Sequence, residues 1–325
     1  KLPKAISTFH IIMCGIFALI KNIDSCIDFI RDKPILHNSF IKGQNRGPEH
    51  SILTTINEQI IFGFHRLAIN GLDSFSNQPI ISDGVYLICN GEIYNYIALR
   101  DLVLKKGHTL KTKCDTEVIL HMYEEFGADC LQYLSGMFAF AIWDDRKKEL
   151  FVARDKMGIK PLYYTQTKNF LVFGSEMNVV MQHPEVNREI NLNSLNQYLT
   201  YEYVPTPGTI LKNIFRLEPG HFFRHSESGL KICEYWQPDL RGSETNHIWD
   251  ETVEKEKLYT TLDAAVKEEL VSYVPVGVFL SGGLDSSTIA ALMTRNTGQQ
   301  VNSFSIGFQE ASFDESRYAR KMADF

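Results

Sequence analysis

The chain has 325 residues, of which 44% are hydrophobic and 22% charged, and its formal net charge is −6. This length favours two domains, each large enough to bury a core of its own. Charges of both signs are interspersed and no long basic tract occurs, which argues against a nucleic-acid-binding surface. We therefore expect a soluble, mildly acidic globular protein.

The six cysteines, at positions 14, 26, 89, 114, 130 and 233, are too sparse for a disulfide-dependent fold. No pair has the C-x-x-C spacing, and no His/Cys cluster follows the sequence spacing typical of metal ligands. The cysteine pattern predicts reduced thiols and a cytoplasmic location.

An apolar run over residues 11–20 follows Lys1 and Lys4. A signal peptide, or a lipoprotein box ending at Cys14, is one interpretation. The run is shorter than the ~18 apolar residues that a membrane span needs, no A-x-A-like cleavage site follows, and Met13 is bulky where a lipoprotein box has a small residue. We instead expect residues 1–13 to be a leader, a non-native extension or a processed segment, with Met13 as the initiator and no membrane association.

From residue 14 to about residue 176 the pattern consists mainly of short apolar or alternating segments separated by turn residues. Helical spacing is found over residues 97–106 and 115–126. Strands outnumber helices without regular alternation, which predicts an α+β domain of stacked antiparallel sheets flanked by helices. The predicted strands cover residues 59–69, 85–90, 137–143, 149–153 and 169–174.

Residues 200–245 are rich in proline and glycine, which predicts connecting structure. Leu258, Leu262, Val266 and Leu270 then repeat every four residues, as on one face of a helix. The next segments predict a strand at 274–280, a glycine loop at 281–287, a helix over 288–293 and a strand at 301–308. This order is typical of the start of a parallel α/β sheet.

The loop at residues 281–287 reads Ser-Gly-Gly-Leu-Asp-Ser-Ser. Its glycines let the backbone approach a ligand, and the following helix start offers unpaired N–H groups to an anion. Ser281, Ser286 and Ser287 add hydroxyl donors, and Asp285 can hold Mg²⁺ against phosphate oxygens. The lysine of a Walker loop is missing. An ordinary glycine turn with a helix cap is the alternative, but the complete motif resembles the pyrophosphate loop of the ATP pyrophosphatases.

Cys14 has a chemical option that an internal cysteine lacks. If Met13 is removed, Cys14 carries a free α-amine with a pKa of ~7.7–8.0 beside a thiol with a pKa of ~8.5, so the amine is a matched general base. The alternative is a buried structural cysteine.

Three downstream segments favour the catalytic interpretation. Residues 64–69 place Arg66 on a strand, where it can pair with a carboxylate. Asn90 and Gly91 offer an amide side chain and a flexible backbone N–H, the parts of an oxyanion hole. Asp115 opens a helix with a carboxylate that could meet an ammonium group. Together these groups meet the needs of glutamine hydrolysis.

Segments at 13–16, 46–49, 64–69, 90–95, 136–141 and 154–164 resemble the class II glutamine amidotransferase domain. Together with residues 203–205 and 281–287, their order and spacing resemble the glutamine-hydrolysing asparagine synthetases over nearly all of residues 13–325. Asn45 and Glu49 differ from the His and Asp usual in that family but keep polarity.

The resemblance implies an N-terminal-nucleophile hydrolase fold for a glutaminase domain at residues 14–225. A linker at 226–252 and a truncated synthetase domain of the ATP-pyrophosphatase type at 253–325 would follow.

The resemblance also implies residue roles. Cys14 would be the nucleophile, and Asn90 with Gly91 would form the oxyanion hole. The glutamine-binding residues would be Arg66, Leu67, Ala68, Ile69, Asn70, Glu92 and Asp115. ATP would contact Leu280, Ser281, Gly282, Gly283, Asp285, Ser286, Ser287 and Ile306, with Mg²⁺ at Asp285.

The implied reaction makes asparagine from aspartate, ATP and glutamine, with ammonia passing to an aspartyl-adenylate. A homodimer is left open. An alternative is a related amidotransferase acting on a sugar uronate or a peptide carboxylate, because acceptor specificity resides mostly beyond residue 325. A stand-alone glutaminase or a non-catalytic regulatory protein is a further alternative, which the loop at 281–287 disfavours.

Overall fold

The computed structural model describes residues 13–69, 76–240, 249–272 and 274–325. The chain divides into two compact units, one ending at Asp239 and the other beginning at Leu240. Within the described ranges no helix is both long and apolar enough to cross a membrane.

The first unit is built on two six-stranded sheets whose strand pairs are all antiparallel. Its strands are β1 Gly15–Lys21, β2 His50–Thr55, β3 Ile60–Arg66, β4 Ile80–Ser82, β5 Val85–Ile93, β6 Gly136–Asp144, β7 Glu149–Arg154, β8 Tyr163–Gln166, β9 Phe170–Gly174, β10 Phe215–Arg216, β11 His221–Ser226 and β12 Gly229–Glu234. One sheet has the order β10-β8-β9-β1-β3-β2 and the other β12-β11-β7-β6-β5-β4.

Strand β1 is buried on both faces because one face meets the other sheet and the other meets helices. Successive side chains of a strand point to opposite faces. Ile16, Ala18 and Ile20 accordingly join the core between the sheets, whereas Phe17 and Leu19 pack in a second core with helical residues. The helices of this unit are α1 Lys33–Ile41, α2 Tyr96–Lys105, α3 Glu117–Phe126, α4 Met177–Val180 and α5 Leu192–Tyr201.

The predicted α+β class of stacked antiparallel sheets is confirmed. The five predicted strands correspond to β3, β5, β6, β7 and β9, and the two predicted helices to α2 and α3. Boundaries differ by at most three residues, as expected where side-chain pattern rather than hydrogen bonding sets the prediction.

The prediction of connecting structure over residues 200–245 is wrong for the middle of that range. β10, β11 and β12 form there, and β11 pairs with both β7 and β12. Gly220 and Gly229 adopt positive φ at the turns that bound β11 and β12. The glycines mark tight turns between short strands, because such backbone conformations are nearly free of strain for glycine alone.

The second unit has the predicted beginnings of a parallel α/β sheet. Its elements are α6 Glu251–Glu269, β13 Gly277–Phe279, α7 Leu284–Thr297, β14 Asn302–Phe304 and α8 Ser316–Asp324. β13 and β14 pair in parallel. The apolar stripe of α6 packs through Leu262, Val266 and Leu270 on a small core with Val278 and Leu292, while Leu258 is 68% exposed.

Candidate active site

A cavity of about 50 Å³ lies in the first unit, beside the start of β1, the end of β3, the second half of β5 and the segment before α3. Its lining brings together side chains that are far apart in sequence. They include Met13, Cys14, Arg66, Leu67, Ile69, Ser76, Gln78, Asn90, Gly91, Glu92, Asp115 and Lys160.

Cys14 lies directly before β1, and hydrogen bonds hold both its thiol and its backbone carbonyl group. Its Sγ lies 3.3 Å from both the backbone nitrogen and the carbonyl oxygen of Leu67. Arg46 Nε donates a hydrogen bond of 3.0 Å to the carbonyl oxygen of Cys14. Burial raises the pKa of the Cys14 thiol, while the Leu67 hydrogen bond and the charge of Lys160 oppose that rise. A thiol with a raised pKa needs a base before it can act as a nucleophile.

Asn90 presents a buried amide to this cavity. The residue is 1% exposed, and its Nδ2 has no hydrogen-bond partner among the described residues. A buried donor left unpaired costs roughly 1–3 kcal/mol, so such donors usually serve a ligand or water. Asn90 is therefore suited to donate to an oxygen atom that enters the cavity.

Gly91 adds a backbone N–H donor, which lies on the edge of β5 that also carries the N–H groups of Cys89 and Ile93. Cys89 N donates to Gln78 Oε1, and Ile93 N donates to Asp115 Oδ2 at 2.7 Å. Backbone N–H groups alternate between the two edges of a strand, so Gly91 N–H points to the same side as those two. A Cβ at position 91 would lie 2.4 Å from the carbonyl oxygen of Met137, so only glycine permits this close strand pairing.

The two carboxylates in the cavity wall have different surroundings. Asp115 is buried, and burial raises its carboxyl pKa against the opposing Ile93 hydrogen bond. Glu92 is half-buried, and Lys160 is buried close enough for the Glu92 charge to act on its ammonium group. Burial lowers the pKa of Lys160, and the Glu92 and Cys14 charges oppose that decrease.

Arg66 ends β3 at the cavity, where its side chain is largely buried. One guanidinium nitrogen, Nη1, donates a hydrogen bond of 2.7 Å to Asn77 Oδ1. This contact fixes a positive charge on the wall that also carries Cys14 and Asp115. With Lys160, the arrangement offers two cationic and two anionic side chains to a zwitterionic ligand.

The segment after β3 supplies backbone to the same region. Leu67 contacts Cys14 through its main chain, Ala68 N donates to Glu49 Oε2 at 2.8 Å, and Ile69 lines the cavity. Asn70 lies outside the described residues. Glu49 thus supplies a carboxylate acceptor to the backbone of the segment after β3.

Sequence reasoning missed Lys160, Ser76 and Gln78 as cavity residues. Lys160 lies within the segment at 154–164 that carried the resemblance, but this segment also contains Arg154, Asp155 and Lys156, and nothing in its pattern distinguishes Lys160 from them. No local pattern distinguishes Ser76 or Gln78, because their position depends on the pairing of distant strands.

In the second unit the motif at 281–287 follows β13 as the sequence predicts, but α7 begins at Leu284, so residues 284–287 form its first turn rather than a loop. Ser281 Oγ lies 3.0 Å from Ser286 Oγ, and Gly283 N donates to Ser281 Oγ at 3.2 Å. Ser287 Oγ is buried without a partner among the described residues. These contacts join Ser281 to the first turn of α7, which contains Ser286 and Ser287.

The remaining predicted ATP contacts are grouped near this motif. Leu280 N donates to the carbonyl oxygen of Phe304 at 2.8 Å, which joins the end of β13 to β14. Ile306 follows β14 and is exposed. Gly282 has φ of +82°, and a Cβ there would lie 2.5 Å from the backbone of Tyr318. Asp285 is exposed in the first turn of α7.

Two family models match the chain. One, a glutamine amidotransferase domain, covers residues 13–236, and the other, asparagine synthase, covers residues 257–325.

Curated relatives give the same picture. An asparagine synthetase (glutamine-hydrolysing) 3 of Bacillus subtilis is 34% identical over 92% of this chain and 48% of its own length. A putative asparagine synthetase 2 of Methanocaldococcus jannaschii is 34% identical over 96% of this chain and 63% of its own length. The chain thus spans about half to two thirds of the length of these relatives.

A solved structure of glutamine phosphoribosylpyrophosphate amidotransferase from B. subtilis is 18% identical, with a TM-score of 0.49. The match covers 91% of this chain and 67% of that one.

Proposed function

Because the chain belongs to the glutamine amidotransferase family through residues 13–236, we propose that its first unit hydrolyses glutamine with Cys14 as nucleophile. We further propose that the ammonia serves asparagine synthesis from aspartate and ATP in the protein to which the second unit contributes. The similarity to asparagine synthetases and the family match at 257–325 support this second part.

Substrate binding follows from the charges of the cavity wall. Arg66 pairs with the α-carboxylate of glutamine, while Asp115 and Glu92 bind its α-ammonium group. The backbone of residues 67–69 lies beside Cys14 and borders the bound substrate. Charged hydrogen bonds at both ends fix the amide carbon in front of the thiol.

The chemistry requires a free α-amine on Cys14. That amine takes the thiol proton, the sulfur attacks the amide carbon, and the developing oxyanion accepts hydrogen bonds from Asn90 Nδ2 and Gly91 N–H. The carbon–nitrogen bond then breaks as the protonated amine returns its proton to the leaving ammonia. Water, deprotonated by the same amine, cleaves the thioester to give glutamate and restores the thiol.

The motif at 281–287 is proposed to bind the phosphates of ATP. Ser281, Ser286 and the N-terminal N–H groups of α7 would serve as donors, and the Ser287 hydroxyl, which has no partner among the described residues, would be a further one. The exposed carboxylate of Asp285 fits Mg²⁺, which commonly binds one or two carboxylates together with phosphate oxygens. When bound, Mg²⁺ would neutralise phosphate charge.

The observation that carries the glutaminase proposal is the unpaired Asn90 amide in the cavity that holds the Cys14 thiol. The test is ammonia release from glutamine by a form beginning at Cys14. Cys14→Ala in the parent chain should give no release above background, and ATP binding by the same preparation should be unchanged. Cys26→Ala, at an exposed cysteine, is the matched control and should keep full activity. Full activity of Cys14→Ala would contradict the proposal.

A further inference from the structure

A cluster of side chains of metal-ligating types lies away from the cavity, where the end of α2 meets α3. His108 follows the last turn of α2, while His121 and Glu124 lie one turn apart on α3. The side chains of His121, Glu124 and His108 are 3%, 12% and 17% exposed. The three groups are therefore held together in a largely dry setting.

Their three donor atoms form a nearly equilateral triangle. His108 Nδ1 and His121 Nδ1 are 3.2 Å apart, His121 Nδ1 and Glu124 Oε2 are 3.0 Å apart, and His108 Nδ1 and Glu124 Oε2 are 3.5 Å apart. For bond lengths of ~2.0–2.2 Å, tetrahedral geometry places neighbouring ligand atoms about 3.3–3.6 Å from each other. The spacing therefore matches three corners of a tetrahedral Zn²⁺ site.

Both histidines also have a carboxylate near the other ring nitrogen, within hydrogen-bonding distance for His108 and as a longer ion-pair contact for His121. Glu125 Oε1 lies 2.9 Å from His108 Nε2, and Glu117 Oε1 lies 3.8 Å from His121 Nε2. Glu117 is itself fixed, since it accepts hydrogen bonds from Lys111 N at 2.7 Å and from the backbone and hydroxyl of Thr112. Metal-binding histidines commonly donate their second N–H to a carboxylate, which orients the ring.

A proton offers a simpler explanation of the same cluster. Burial disfavours a charged His121, but hydrogen bonds with Glu117 and Glu124 outweigh it and raise the His121 pKa to about 9. If His121 is protonated, however, the Nδ1 atom of His108 acts only as a hydrogen-bond acceptor from His121. This explanation gives no reason for a second histidine in the cluster. Two imidazole nitrogens and a carboxylate converging on one point are more specific to a cation.

We propose that His108, His121 and Glu124 bind a divalent transition-metal ion, best matched by Zn²⁺, with a fourth position open to water. Two imidazoles with one carboxylate are donors that Zn²⁺ accepts readily, whereas Mg²⁺ and Ca²⁺ prefer oxygen ligands. The metal would link the end of α2 to α3 and would stabilise the folded first unit by binding the native state. Glu117 and Thr112 connect this site to the segment that carries Asp115.

The experiment is a Zn²⁺ titration of the chain after removal of metals with EDTA, read by competition with a chromogenic chelator. It is repeated in Cys14→Ala so that the thiol does not contribute to binding. We expect one tight site in both proteins and an X-ray absorption spectrum with nitrogen and oxygen neighbours at ~2.0 Å. Zn²⁺ should also raise the melting temperature of the protein.

The variants separate a metal site from a proton-bridged cluster. His108→Gln and Glu124→Gln should each weaken Zn²⁺ binding by at least about 100-fold, and Glu125→Gln, next to a ligand, by about tenfold. His221→Gln is the matched control, because His221 is 19% exposed beside Glu234 and should not change binding.

Circular dichroism checks that each variant is folded, and the partly exposed Glu124 provides a second test if His108→Gln is unstable. Absence of a stoichiometric site, sulfur neighbours in the spectrum, or equal affinity of folded His108→Gln and Glu124→Gln to the parent would overturn the proposal.

Discussion

Truncation of the Asn90 side chain is the most direct test of the proposed oxyanion hole. Asn90→Ala deletes one of two donors without touching the nucleophile, so kcat for glutamine hydrolysis should fall by about 10²–10³ with a smaller change in KM. Steady-state kinetics of the form beginning at Cys14 measures this. Asn22→Ala, whose amide instead donates to backbone at Thr167 and Lys168, should leave kcat unchanged. A near-normal kcat in Asn90→Ala would leave Asn90 only a structural role.

Lys160 should set the pH range of the reaction. Its charge lowers the pKa of the Cys14 thiol, so Lys160→Met should raise that pKa. The acid-side limb of kcat/KM should then move to higher pH. Lys156→Met removes a lysine from the same loop but outside the cavity wall, and its profile should match the parent. An unshifted limb in Lys160→Met, with the protein folded, would rule out this electrostatic role.

At the scale of elements, one buried carboxylate anchors the loop that carries Lys160. Asp155 accepts backbone hydrogen bonds from Met157 and Ile159 through Oδ1 and from Phe138 and Lys160 through Oδ2. The loop is thereby fixed to β6 without regular structure of its own. The Asp155 carboxylate takes the place of the backbone acceptors that a β-sheet would provide to these N–H groups.

Asp155→Ala should therefore lower the free energy of unfolding by about 3–5 kcal/mol, because four N–H groups lose a charged acceptor. Urea denaturation followed by fluorescence provides the value. Asp24→Ala, at an exposed position, is the control and should change stability by less than about 0.5 kcal/mol. A loss below about 1 kcal/mol in Asp155→Ala would mean that water or a rearranged loop satisfies these groups.

Local pattern predicted those elements whose burial repeats regularly. β3, β5, β6, β7 and β9 are continuous or alternating apolar segments, and their burial matches that pattern. β10, β11 and β12 were missed because proline and glycine around them indicated loops, whereas pairing with β7 and β8 is a long-range property.

The site residues that could be predicted are those whose chemical role can be recognised from a short sequence segment. Local sequence is enough to indicate the donors of Asn90 and Gly91 and the acceptor of Asp115 near a helix start. Lys160 and the His108–His121 pair could not be read in the same way, since their partners are distant in sequence or lie at no standard metal spacing. Only the packing of α2 against α3 brings the two histidines together.

At the scale of the molecule, the two proposed chemistries belong to separate compact units. The cavity with Cys14 is formed wholly by the first unit, and the motif at 281–287 wholly by the second. Loss of the thiol is therefore expected to spare nucleotide binding. The free α-amine remains the requirement on which the glutaminase account depends.

Met13 makes this requirement testable, because it lines the same cavity as Cys14 and its sulfur lies 4.0 Å from Lys160 Nζ. An amide nitrogen is not basic, and Met13 lines the cavity in which the substrate would bind. The decisive measurement is the rate of ammonia release from glutamine by two preparations whose N-termini are verified by intact mass. One begins at Cys14 and the other retains residues 1–13. We predict hydrolysis by the first and a rate near background for the second, and equal rates would contradict the assignment of Cys14 as an N-terminal nucleophile.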